Sequence, residues 1–320
     1  MQKHFNPYPI YTTKCLQLLD SCSKKKNPAL WLHQNKARET LFMLESIARI
    51  IYKSTNDSET KKWYKCFKEL EDLLGEIDFY DEMYKNISQI KSLKKTQLDY
   101  LKRKKTKTLD KLNENLIAND FYKKFVISLN KPGKLNVDSI PFLKKLEQRI
   151  KLELLEAAQL YNEHAAGFND MEEQVHELRR KLRWVSIYAQ SLQGFIVLEK
   201  SKIKYKWEKE FVTKEVINLP YHKIPVNKEL KYHVNFNITA FYAFTYVIQE
   251  LGIIKDKAFT LTTLAKVIEK TTFMSKQDSL KIAQKEIKGS VSVDKLLDEA
   301  HVLLKKFFNN YDIHEVLLKV

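Results

Sequence analysis

The chain has 320 residues and a formal net charge of +16, with 44% apolar and 30% charged residues. Only 6 Gly and 7 Pro stand against abundant Leu, Lys and Glu, which favours long helices and leaves little room for a sheet-rich fold with tight turns. No run of about 18 apolar residues offers a membrane span, and so large a positive excess makes polyanions the natural partners: nucleic acid, anionic headgroups or a chain of phosphates.

In chain order, a short first helix precedes Asn27-Pro28, an N-cap followed by proline at the first helical position, which predicts a helix from Ala29 to about Lys53. Asn56, Asp57 and Ser58 break the pattern. A helix resumes to Leu74, where Gly75 offers a C-terminal stop. Helical periodicity then covers about Phe79 to Leu93 and Thr96 to Ile117, and Asn130 to Lys134 reads as a loop. Asp138 or Ser139, before Pro141, opens a helix to about Ala166. Gly167 ends it, and Asp170 with Glu173 three residues on resembles a capping box for a helix reaching about Glu199, with Gly194 a weak point. Residues 200 to 236, with Pro220 and Pro225, read as an extended insertion or irregular linker. Helices return at about 238 to 251, 260 to 272, 276 to 288 and 292 to 308.

Cys15, Cys22 and Cys66 are odd in number and lack CxxC spacing, so they read as free thiols. The N-terminal MQKHFNPYPIYTTK has no apolar signal-peptide core, which predicts a cytoplasmic protein. No Walker, dinucleotide-binding or GxSxG motif occurs, and His164, His222, His233, His301 and His314 have no ligand-like spacing. Neither a metal site nor a cofactor site is expected. An enzyme acting on phosphates would show clustered acids for a metal beside its basic surface, and none is evident, so no catalytic residue is assigned.

The strongest local signal is VHELRRKLR, Val175 to Arg183. At 100° per residue Val175, Leu178, Leu182 and Val185 form an apolar stripe, and His176, Arg179, Arg180 and Arg183 lie on the opposite face. Glu177 can reach Arg180, but the residues one turn from Arg179 are Val175 and Arg183. Like charges at that spacing repel, so the face is either well solvated or receives an anion. A second basic run spans Lys91 to Lys107, with the single acid Asp99, and reads first as a solvated helix face.

The segment WLHQNKARETLFMLESIAR, Trp31 to Arg49, also opens a helical block with a His followed three residues later by a cation, so His33 and Lys36 match His176 and Arg179. Each block continues to a Leu-Gly followed by an acid, LLGEIDFYDEM from Leu73 and ELGIIKD from Glu250, which suggests two similar all-helical halves, about 1 to 136 and 137 to 320. On these residues the chain resembles the CHAD domain, the conserved-histidine α-helical domain, whose H-x-x-R-x-x-x-R/K motif opens a long helix in each half. His176, Arg179 and Arg183 take the motif positions in the second half, while in the first Lys36 replaces Arg and Thr40 stands where the next cation belongs. The resemblance implies a single all-α domain of two pseudo-symmetric helical bundles of long antiparallel helices around a basic central surface, binding inorganic polyphosphate without chemistry. Its site would comprise His33, Lys36, His176, Arg179, Arg180 and Arg183. Arg38 and Arg49, on the first motif's helix, and Lys145 and Arg149, one turn apart after Pro141, could extend it. Both motif histidines would bind best when protonated, with affinity rising as pH falls through about 7. RNA or other nucleic-acid binding through the Lys91 to Lys107 run is the alternative. No membrane partner is expected.

Overall fold

A computed structural model describes residues 6–117, 126, 139–287 and 292–319. The protein is all-α. Helix α1 is Tyr8–Ser23, α2 Pro28–Gln34, α3 Ala37–Thr55, α4 Ser58–Ile87 and α5 Lys95–Ile117. After the expected loop at Asn130 to Lys134, which lies outside the described residues, come α6, Ile140–Glu163, and α7, Glu177–Ser191, entered through a π-helical turn at Met171–His176. Helix α8, Ile238–Thr272, is followed by α9, Lys276–Glu286, and α10, Val293–Lys305.

The expected N-caps are made. Asn27 and Ser139 accept from the backbone N–H three residues on, and Asp170 accepts from both Glu172 and Glu173; Asp57, expected only as part of a helix break, caps α4 by accepting from Thr60. The reciprocal arm at Asp170 differs from the capping box expected with Glu173: Gln174 Oε1 takes the N–H groups of Asn169 and Asp170.

Neither Gly75, expected to end a helix, nor Gly252, just past the expected helix end at about 251, stops one. Gly75 lies inside α4 and Gly252 inside α8, so four expected segments merge into two helices of 30 and 35 residues. Helix propensity disfavours glycine in such positions by only about 1 kcal/mol, which packing on both sides readily offsets. Conversely, the helix expected from Ala29 is interrupted. Lys36 takes a left-handed conformation, φ 54°, and separates α2 from α3. Helix α7 stops at Ser191, short of the expected Glu199, where Gln193 (φ 46°) and Gly194 (φ 88°) turn the chain.

Helix α3 is the hub. It packs on α1, α4, α6 and α7 and buries Leu41, Leu44, Ile47, Ala48, Ile50 and Ile51. The other long element, α8, packs on α5, α7, α9 and α10. Between residues 200 and 233 the chain has only short helical turns, at Glu208–Phe211, Lys214–Ile217 and Pro220–His222, and is otherwise without regular structure. The ends of this insertion are stapled by a parallel strand pair, β1 (Ile196–Glu199) with β2 (Val234–Asn237), Ile196 opposite Val234, and Trp207, Phe211 and Val216 are buried. Cys15, Cys22 and Cys66 are free thiols. Among the described residues, no helix is long and apolar enough to cross a membrane, and no group of His, Cys, Asp or Glu is placed to hold a metal ion.

Candidate functional site

Helices α3, α4 and α7 enclose a cleft of about 450 Å³. Seven cations line it, Arg38, Arg49, Lys53, Lys68, Arg180, Lys181 and Arg183, with four carboxyl groups, Glu45, Glu71, Asp72 and Glu177. His176, Phe42, Tyr64 and Trp184 complete the wall. A smaller cavity of about 220 Å³, lined by His33, Lys36 and Asp78 among others, shares Arg38, Phe42 and Arg183 with the cleft. The structure thus brings together most of the expected cations. Lys145 is exposed on α6 and lines neither cavity, nor do Arg149 and Arg179.

The acids of the cleft are largely committed. Glu71 accepts from Arg38 Nε at 2.6 Å, Asp72 takes Lys68 at 2.7 and 2.8 Å, and Glu177 pairs with Arg180 at 3.2 Å. Glu45, only 1% exposed, is pushed up to about 8 by burial and by Glu71, so it carries little charge at neutral pH, and its Oε2 has no hydrogen-bond partner. Deeper still, Arg49 donates to Glu153 at 2.7 Å and to the Tyr188 hydroxyl, while Lys53 and Arg149 converge on the other Glu153 oxygen at 3.0 and 3.2 Å. Arg49 and Arg149 are therefore structural cations, held around one buried carboxylate.

Arg183 is different. Among the described residues it has no carboxylate within ion-pair reach and no hydrogen-bond acceptor, and its guanidinium lies 4.5 Å from the centre of the Phe42 ring. Burial, with Arg179 and Arg38 nearby, brings it down to about 10, so it stays charged at neutral pH while partly stripped of water. Of the two ways to relieve the repulsion read from the sequence, solvation is only partly open to Arg179 and Arg183, which are half-buried, while Arg180 is exposed. Arg179 shares the burial. Its Nε donates to the Ile248 carbonyl at 3.0 Å, and it too forms no ion pair among the described residues.

The two glycines inside α4 and α8 explain how the arginines fit. Arg179 lies across Gly252, where a Cβ would meet its Nη2 at 2.9 Å, and Arg38 lies across Gly75, where a Cβ would meet its Nη2 at 2.7 Å. Each long helix gives up a side chain so that a guanidinium can rest on its backbone. Gly75→Ala should displace Arg38, which lines the cleft, and weaken anion binding about tenfold, while helical circular dichroism stays unchanged because alanine favours the helix. Calorimetric titration with tripolyphosphate measures the first effect.

The left-handed turn at Lys36 also reassigns the first motif. Lys36 sits 76% exposed beside Glu39, and the cation that reaches the cleft from this segment is Arg38, two residues later. His33 turns to acids: its Nδ1 lies 2.8 Å from Asp78 and its Nε2 3.9 Å from Asp81. In the free protein His176 is held neutral. Burial first, then Lys255, Arg179, Arg180 and Arg183, lower it to about 3, and its buried Nδ1 has no partner. A histidine held below its unfolded value contributes full stability above about 6.5 and loses it as pH falls from there toward 3. Affinity for tripolyphosphate is accordingly expected to be flat between pH 6 and 8, measured by titration at fixed ionic strength. A rise of several-fold at pH 6 would contradict a neutral His176.

Sequence reading missed Lys53, Lys68, Lys181, Phe42 and Tyr64 as cleft residues. Lys53 and Phe42 sit one turn after Arg49 and Arg38, the one signal that could have found them. Comparison with known proteins finds no family model, no curated protein and no solved structure that matches this chain.

Proposed function

We propose that the cleft binds inorganic polyphosphate, or a polyanion of the same kind, without catalysing a reaction on it. The observation that carries this reading is Arg183, charged, half-buried and without an ion pair among the described residues, at the wall shared by the two cavities. A polyphosphate chain presents charge at regular intervals and no base edges. A row of cations from several helices suffices to hold it, with arginines making bidentate contacts.

The aromatic residues favour a bare polyanion over nucleic acid in this cleft. The Phe42 ring has Arg38 at 5.0 Å and Arg183 at 4.5 Å, and Trp184 has Arg49 at 4.8 Å, so these rings support guanidiniums where a base reader would leave them open for stacking. The resemblance to the CHAD domain points the same way. On this reading Arg38 over Gly75 and Arg179 over Gly252 are one device used in two related halves. The free thiols suit a reducing cytoplasm as its setting.

The test is competition at physiological salt between a short polyphosphate and RNA, with wild type and Arg179→Ala/Arg183→Ala. RNA is expected to displace polyphosphate poorly, and the double variant to bind it weakly. Ready displacement by RNA, or full affinity in the double variant, would sink the reading.

A further inference from the structure

A second cationic surface lies away from the cleft. The ends of α4 and α8 meet the start of α5 and α9 around a separate small core of Met83, Ile87, Leu101, Leu264, Val267 and Ile268. On the outside of this lobe Lys91, Lys94, Lys95, Lys102 and Arg103 are exposed, and among the described residues none has a carboxylate within ion-pair reach. Lys266 and Lys270 add exposed cations from α8, which packs directly on α5; Lys270 is paired with Glu269 at 2.9 Å. The two basic segments therefore form one surface.

At its edge α8 ends in Phe273, which is 95% exposed, with Met274 45% exposed beside it and Lys276 following. Phe273 has φ 59°, the left-handed conformation in which a helix C-terminus ordinarily places glycine or asparagine. A large apolar ring thus stands in water, on a backbone conformation that does not suit it, among lysines. Helix capping alone does not call for such a residue. In the cleft the rings are covered by guanidiniums, but here a ring is left bare beside exposed lysines, the combination that stacks a base while its phosphates are neutralised.

We propose that this lobe is a binding surface for single-stranded nucleic acid, with phosphates along the cations of α5 and a base stacked on Phe273. The surface is independent of the cleft. The experiment is fluorescence anisotropy of a labelled single-stranded RNA of mixed sequence over a range of salt, using the full chain. Phe273→Ala is expected to weaken binding about tenfold, the worth of one stacked base. Lys102→Glu/Arg103→Glu should weaken it further and lower the slope of log affinity against log salt by about 0.7 for each phosphate left without its cation. Arg183→Met should leave RNA binding unchanged, and excess tripolyphosphate should not displace the RNA. Unchanged affinity in both lobe variants, or loss of RNA binding in Arg183→Met, would overturn the proposal. So would stronger binding to vesicles of anionic lipid than to RNA.

Discussion

Arg183→Met is expected to cost the cleft on the order of 100-fold in affinity for tripolyphosphate, the scale found when one partner of a buried charge pair is removed. The thermal midpoint should stay level or rise in the same variant. Both expectations come from one fact: the Arg183 charge is partly withdrawn from water and has no carboxylate to answer it among the described residues. Such a charge costs stability in the empty protein and is compensated only when an anion arrives. Methionine keeps much of the packing against Phe42 and removes the charge, so binding and stability should move in opposite directions. Arg183→Lys should fall between, because an ammonium loses the planar stacking on the ring and the paired donors. A drop in both affinity and thermal midpoint for Arg183→Met would mean that the residue is structural. Titration calorimetry and thermal unfolding on the same sample decide it.

Glu153→Ala should be the most damaging single change to the fold, with a loss of about 3–5 kcal/mol. Arg49, Lys53 and Arg149 all converge on this one carboxylate, whose side chain is 1% exposed. Alanine would leave the two largely buried guanidiniums of Arg49 and Arg149 facing each other between α3 and α6, with the more exposed Lys53 beside them. Thermal unfolding should show a fall of roughly 6–10 °C. Burial raises the Glu153 pKa, but Arg49 and Lys53 outweigh it and hold the group below the usual glutamate range. A carboxyl depressed in the folded state contributes stability that is present above its unfolded pKa and disappears as pH falls through the folded one. The wild type should therefore lose stability in acid more steeply than Glu153→Gln, which keeps hydrogen bonding but no longer titrates there. Parallel acid-unfolding curves for the two would refute this role.

Helix starts were the most legible feature of the chain, because an N-cap is a local contract between one side chain and a backbone N–H two or three residues on. Asn27, Ser139 and Asp170 all cap as their neighbours in sequence suggest. Helix ends were harder to read. Gly75 and Gly252 look like stops only while nothing lies against them, and what does lie there is an arginine from a distant segment. Likewise Asn35-Lys36 carries no strong turn signal, yet a left-handed residue there shifts the register by two and brings Arg38 to the cleft in place of Lys36.

By itself the sequence determined the all-α class, the helix caps and the cationic face of Val175 to Arg183, since each depends on spacing along one helix. Which of those cations are solvated, paired or stranded was decided only by the tertiary structure. Desolvation and ion pairing depend on groups far apart in the chain: Glu153 for Arg49, Glu71 and Asp78 for Arg38, and Lys255 and three arginines for His176. For that reason His176 emerges neutral and Arg49 structural, although both belong to basic stretches of sequence. Arg183, equal to its neighbours in the sequence, is the one the fold leaves, among the described residues, with neither an ion pair nor a hydrogen-bond acceptor at the shared wall of the cleft.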